Sequence, residues 1–327
     1  MANKTNITGS NSGDFVQLDN VILDVYSEQI LFEAQPNLRF EQIAVKQTDL
    51  SVLPGQKVKF LKYNALSGSS EITETSDLES GSISTATLEI SVGEHGKALR
   101  FSEALLRQSI TDVLGNASKL LGNHYGTQRD SIIRTALMGG TNVMYADSTG
   151  AAANSARSAL DASDVFDVNL VRETVEFLAT NKAPKLGDAY VAFIHPHQAK
   201  NLRKDPAWVN VQLYGNPDAI YNGESGRIED LRFVETTNLE YIPINTQDIY
   251  VDNVDSGTNT AIAANSNTAV YRSIALGDFA VGLAESLPVE MRDNGVENYG
   301  RYHSIAYYGI WGAGLLETGH SVILETA

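Results

Sequence analysis

Two of the chain's six histidines stand one residue either side of a proline, in the stretch AYVAFIHPHQAKNLRKDPAW (189–208). On an extended strand His195 and His197 would share one face. They could then chelate a metal or act as an acid–base pair. Pro196 points elsewhere, because its fixed φ suits the first turn of a helix. PHQAKNLRKD therefore reads as a short helix with Ala199 and Leu202 inward, stopped ahead of Asp205–Pro206. The two imidazoles would then straddle a strand–helix corner and point apart. No HxxxH pair and no carboxylate at matching spacing completes a metal shell. His124 falls on a long helical pattern and reads as a packing histidine. His95, His303 and His320 fall in strand or turn contexts without partners.

Other chemistries fare no better. The chain has no cysteine, which removes disulfides, zinc clusters and thiol catalysis together. GESGR (223–227) only superficially suggests a nucleophile elbow. It lacks the final glycine, and its sequel IEDLRFVETT reads as a strand instead of the required helix. No GxGxxG or GxxxxGK[ST] opens a helix after a strand. The glycines of WGAGLL lie among strand signals and suit close β-packing. The carboxylates are too many to single out a glycosidase pair by spacing alone. The expectation is a protein that is not an enzyme, with no catalytic, cofactor-binding or metal-ligating residues.

The elements come next. MANKTNITGSNSGD is small and polar and reads as a mobile arm. It has no basic-then-apolar leader pattern, which suggests a cytosolic product. Ile22, Val25 and Ile30 place a short amphipathic helix over 21–32, ended by Pro36. GQKVKFLKY and STATLEISV alternate with a period of two and read as strands. Val58 and Phe60 share one face of the first, and Ala86, Leu88, Ile90 and Val92 share one face of the second. Between them NALSGSSEITETSDLESGS carries Glu71, Glu74, Asp77 and Glu79 and reads as the acidic tip of a long hairpin. It lacks the alternating-Asp spacing of a calcium loop. A two-stranded arm is marginally stable alone, so this one should rest on something else, a neighbouring subunit being the expected support. The lysines of KVKFLK would face either solvent or an acidic neighbour.

Ser102 can cap a helical stretch reaching Met138, with a break expected near Thr111–Gly115. Leu106, Ile110, Val113, Ala117, Leu120, His124, Ile132 and Ala136 trace its expected apolar stripe. Asp167 can cap VNLVRETVEFLATN, with Val171, Val175 and Leu178 on one face. YVAFI reads as a strand buried on both faces. TAVYRSIAL, DFAVGLAE, YHSIAYYGIWGAGLLE and SVILETA add further strands. The fold class is α+β.

The net charge is -16 and the pI near 4.7. Phosphate binding needs clustered Lys and Arg, so nonspecific nucleic-acid gripping is disfavoured. No apolar run approaches the ~20 residues of a membrane helix.

The succession of parts resembles the major capsid proteins of tailed phages with the Hong Kong 97-like fold. It is most similar to the family named after the capsid protein of coliphage N-four. The carrying stretches are VYSEQILFEAQPNLRFEQIA, PGQKVKF, SVGEHGKALRFSE and RDSIIRTALMGGTN, then PKLGDAYVAFIHPHQAKNLRKDPAW, GESGRIEDLRFVETTN and LGDFAVGL. They cover most of the chain in family order. The resemblance implies an N-terminal arm over 1–46 and an extended hairpin loop over 47–99. It implies a peripheral domain with a spine helix over 100–164 and an axial domain over 165–301. Residues 302–327 would return as strands of the peripheral domain. It implies pentamers and hexamers of an icosahedral shell that encloses the packaged double-stranded DNA without sequence-specific binding. A separate scaffolding protein, a portal protein and a decoration or cement protein would be partners. The expected location is the virion, after assembly in the host bacterial cytoplasm. Expected subunit-contact residues are Phe15, Tyr26, Lys57, Lys59, Lys62, Glu71, Glu74, Asp77 and Glu79. Competing readings are an encapsulin-like nanocompartment shell, an acidic α/β hydrolase, and a decoration or tail component.

Overall fold

The computed structural model describes residues 39–47, 57–64, 82–108, 112–148, 154, 156–205, 227–251, 254–258, 265 and 267–327. The helix expected over 21–32 and the acidic hairpin tip lie outside the described residues. A 3-10 turn, Phe40–Gln42, and strand β1 (Val45–Gln47) come first. Strands β2 (Lys57–Tyr63) and β3 (Thr85–Ser91) carry the two alternating patterns. They pair antiparallel, from Lys57 opposite Ser91 to Tyr63 opposite Thr85. After β4 (Gly93–Ser102), the Ser102 hydroxyl accepts the Leu105 N–H at 3.2 Å and starts α1 (Glu103–Gln108).

The break in the helical region falls near Thr111–Gly115, where the glycines place it. Asp112 accepts the Gly115 N–H at 3.1 Å and starts α2 (Val113–Met138). Its 26 residues span about 39 Å at the α-helical rise. Strand β5 (Val143–Tyr145) follows, then α3 (Val168–Thr180), whose first turn is closed by Asp167 on the Leu170 N–H at 2.9 Å. Next come β6 (Tyr190–Ile194), α4 (Pro196–Leu202), β7 (Arg227–Ile228), β8 (Leu231–Glu235) and β9 (Glu240–Ile242). The chain continues through β10 (Asp248–Val251), β11 (Val254–Thr258) and β12 (Val270–Leu276). It ends with two long strands, β13 (Val281–Glu297) and β14 (Tyr302–Leu315), and the C-terminal β15 (Ser321–Thr326).

Two mixed sheets organise these elements, so the α+β class holds. The smaller runs β1-β13-β14-β4, and the larger is nine-stranded. In the larger sheet β12 gives one edge to β15 and divides the other between β9 and β6. β6 runs parallel to β8, and β15 parallel to β5. The sheets cut across the sequence segments. β13 pairs along its length with β14, whereas β15 joins the larger sheet.

YVAFI is covered on both sides, and its alternation shows why. Tyr190, Ala192 and Ile194 meet a core built with Val171 and Leu178 of α3 and Ala199 and Leu202 of α4. Phe193 faces the other way, into a core shared with α2, β13 and β14. The buried line of α2 differs from the expected stripe. It runs Ala117, Leu121, Tyr125, Ile133, Leu137, while Leu120 is 61% exposed. Steps of four residues advance about 40° each. The buried line therefore winds round the helix, and a search for straight three-and-four spacing lands one residue off.

Candidate assembly interface

The histidine pair has a structural task. His195 is the N-cap of α4: its Nδ1 accepts the His197 N–H at 3.1 Å, and Gln198 Oε1 accepts the His195 N–H at 3.0 Å. Gln198 is fully buried and also donates to Thr326 Oγ1 at 3.0 Å and Ser273 Oγ at 3.2 Å. The rings do not point apart as expected. The capping imidazole of His195 folds back over the first turn, and both rings meet Tyr271 of β12. His197 stacks on Tyr271 at 4.3 Å and 5°, and His195 lies 5.0 Å from the same ring. Burial, then Lys200 and Lys204, lowers the His197 pKa. Among the described residues no group of three or more His, Asp and Glu could hold a metal.

His124 packs as expected, whereas His95, His303 and His320 have partners where none were expected. His124 Nδ1 lies 2.7 Å from Tyr307 Oη, His303 Nε2 3.1 Å from Asp293, and His320 Nδ1 3.0 Å from the Asp278 carbonyl. His95 packs 4.8 Å from the Trp311 ring. Burial pushes Tyr307 up to about 12 and lowers His124. Except for His303 and Asp293, which face each other across the β13–β14 hairpin, these pairings join residues far apart in sequence and leave no local pattern to read.

The hairpin β2–β3 is seated on its own chain. Val58 and Ile90 are buried with Ala284, and Phe60, Val92 and Leu316 pack around them. The floor of the seat is glycine. A Cβ on Gly312 would lie 2.1 Å from the Ser91 carbonyl oxygen, and one on Gly282 3.0 Å from Ile90 and 3.1 Å from Phe60. The small residues of WGAGLL therefore admit a second layer of backbone at close range, as β-packing predicted. Beyond the seat Leu61, Tyr63 and Ile83 are left 56%, 66% and 75% exposed.

The three lysines of the hairpin find acidic partners in their own chain. Lys57 and Lys59 each lie 3.0 Å from the Glu89 carboxylate across the hairpin, and Lys62 pairs with Glu317. Hydrogen bonds from the two lysines hold Glu89 below the usual carboxylate range. Phe15, Tyr26, Glu71, Glu74, Asp77 and Glu79 lie outside the described residues.

A second set of contacts, missed by sequence reasoning, fixes the segment before β1 to α2. Asp130 Oδ1 accepts the N–H groups of Arg39 and Phe40 at 3.0 and 2.8 Å. Its Oδ2 accepts from Asn238 Nδ2 at 2.9 Å, and Asn238 Oδ1 accepts from Arg134 at 2.6 Å. Burial raises the Asp130 pKa. Next to it Arg129 donates to Glu285 at 2.7 Å and pairs with Glu41 at 3.1 Å. Arg129, Asp130 and Arg134 all lie on the buried side of α2, where an apolar count scores them as surface. Their one sequence signal is a run of charges on the inward line of an otherwise amphipathic helix.

The directions of these bonds make a prediction. In Asp130→Asn an amide would face the Asn238 amide, which Arg134 holds in place. We expect a loss of about 1–3 kcal/mol in chemical denaturation. The exchange Asp130→Asn with Asn238→Asp restores donor to acceptor and should regain most of it. No regain would mean that the bond directions are wrong.

The described chain thus offers an extended helix, two large sheets and a seated hairpin, and it leaves apolar groups exposed on the hairpin, on both α1 and α2 and at turns. These features fit a structural protein. A profile of the phage capsid protein family matches residues 85–318, and the chain belongs to that family. It is a major capsid protein of a phage head. Comparison with curated protein sequences gives no match. The capsid of cyanophage P-SCSP1u is similar at 16% identity and a TM-score of 0.66, over 89% of this chain and 88% of that one. The capsid of Ralstonia phage GP4 is similar at 17% identity and a TM-score of 0.64, over 87% of each chain. The capsid of cyanophage Pam1 gives 14% identity and a TM-score of 0.67, over 87% and 88%. At such identities the likeness is one of fold.

Proposed function

We propose that the chain builds the icosahedral head of a tailed double-stranded DNA bacteriophage from pentamers and hexamers, in the Hong Kong 97-like fold. Residues 1–46 act as the arm and 47–99 as the extended loop. The spine helix α2 and the smaller sheet form the peripheral part, and the larger sheet the axial part. The seated hairpin carries this reading. Its base is buried on β13 and β14, yet Leu61, Tyr63 and Ile83 beyond the seat stay exposed, and a two-stranded ribbon with that apolar end needs a support. A neighbouring copy supplies it. Lys57, Lys59, Lys62 and the acids at Glu71, Glu74, Asp77 and Glu79 then sit along the contact. The charge of -16 suits a container that does not grip the DNA it encloses. Assembly runs in the host cytoplasm with a separate scaffolding protein and a portal protein, and a cement protein can bind outside.

The test is expression with the accompanying head genes and negative-stain microscopy. Wild type is expected to give shells. Deletion of 67–82 is expected to leave soluble protein and no shells. Intact shells from the deletion would sink the hairpin-docking reading. Protein cargo in place of DNA inside the shells would move the assignment to a nanocompartment.

A further inference from the structure

Among the described residues, seven other than glycine lie in the left-handed backbone region: Lys182, Glu229, Asp230, Asn245, Phe279, Asn298 and Tyr299. Short polar residues tolerate it through local hydrogen bonds, whereas a bulky side chain there is a steric outlier. Two of the seven are aromatic. Phe279 is half covered at 53% exposure. Tyr299 is 103% exposed, so no side-chain packing among the described residues offsets its strain.

Tyr299 has φ 58° and lies between Asn298 at 51° and Gly300 at 90°, at the tip of the β13–β14 hairpin. The Arg301 N–H closes the turn on the Asn298 carbonyl at 3.3 Å. Glycine or asparagine would hold this turn with less strain. A residue kept against both strain and exposure points to a contact outside the chain.

The surroundings select the kind of partner. Val296 beside the tip is 60% exposed. Arg301 is exposed, makes no ion pair among the described residues, and lies 5.9 Å from the Tyr302 ring. An exposed tyrosine with an adjacent arginine and an apolar neighbour is the composition enriched at protein–protein hot spots. Glu297 on β13 and Glu103, which approaches Gly300, place carboxylates at the tip and oppose a phosphate backbone. One ring and one valine are too little apolar area for a lipid surface.

We propose that Tyr299 is a subunit-contact anchor that packs against a second copy of this chain, with Arg301 as its polar companion. This rests on the shell-forming reading above, in which the partner present in greatest number is the chain itself. The experiment expresses full-length Tyr299→Gly, Tyr299→Asn and Tyr299→Phe with the accompanying head genes. It reads the melting temperature of the free subunit and the ratio of shells to free subunits by sedimentation. Tyr299→Gly and Tyr299→Asn should melt at or above the wild-type temperature while their shell yield falls about tenfold, the effect of losing one power of ten in affinity. Tyr299→Phe keeps the ring and should assemble as wild type does. Wild-type shell yields from the Gly and Asn variants would overturn the anchor and leave the capsid reading standing. Normal shells that have lost another head protein would overturn the second copy as the partner. No shells from wild type would sink the shell reading itself, and the anchor with it.

Discussion

Gly312→Ala is expected to lift the β2–β3 hairpin off its seat and to cost about 2–3 kcal/mol. The new Cβ would stand 2.1 Å from the Ser91 carbonyl oxygen, 3.1 Å from its carbon and 3.2 Å from Val92 Cα. All three are backbone atoms, so no side chain can swing aside. β14 itself cannot yield easily, because β13 holds one of its edges and β4 the other. The hairpin must move instead, and Val58 and Ile90, now 6% and 3% exposed, lose part of their cover. Gly282→Ala makes an informative contrast. Its Cβ would meet the ends of Leu316, Ile90 and Phe60 at 2.9–3.1 Å, and those side chains can shift. Gly93→Ala is the control, since only the His95 ring comes near, at ordinary contact distance of 3.5 Å or more. Thermal unfolding with limited proteolysis of the hairpin checks the ranking. A Gly312→Ala protein that melts with wild type and resists the protease refutes the seat. Because the hairpin's outer end is proposed to meet a neighbour, the same change should also depress shell yield.

The two strands of that hairpin were plain in the sequence, and so were YVAFI and the caps at Ser102 and Asp167. Each is a local signal, a period of two or an acceptor three residues ahead of an N–H, and tertiary context did not override it. The break before α2 was legible because glycines weaken a helix, although the Asp112 cap that restarts it was not singled out. What the hairpin rests on was not legible. The glycines of β14 advertised close packing, but the partner strand lies more than two hundred residues earlier and no spacing rule connects them. The direction of the His195 and His197 rings was lost for a different reason. A histidine cap is set by one hydrogen bond, and the expected corner took the two rings to diverge where the strand gives way to the helix. The inward line of α2 failed because Arg129, Asp130 and Arg134 are buried with partners from three other segments. Charge on a helix normally marks solvent, so the joint they form was scored as surface.

A second buried cluster of charge should show the largest stability loss in the molecule. Glu325, on β15, is fully buried, and its carboxylate receives Arg157 Nε at 2.7 Å and Arg272 Nε at 3.1 Å. Arg272 also pairs with Glu240 on β9 and reaches the Met138 carbonyl at the end of α2 at 3.5 Å. One carboxylate thus ties β15 and β12 to the segment after β5 and, through Arg272, to β9 and α2. Glu325→Gln keeps the shape and removes the charge, leaving two guanidiniums, 9% and 6% exposed, facing each other in the interior. Breaking a buried ion pair by removing one partner costs about 3–5 kcal/mol, a large share of the roughly 5–15 kcal/mol that holds a typical protein together. Glu89→Gln tests whether burial, and not the count of partners, sets the cost. Glu89 likewise bridges two cations, Lys57 and Lys59, but at the surface, where water solvates the lysines when the carboxylate is gone. Urea unfolding should therefore separate the two variants widely, with Glu325→Gln far below wild type and Glu89→Gln close to it. Equal midpoints would mean that Glu325 is not shielded from water, and that the C-terminal strand is held by its backbone ladder and apolar face alone.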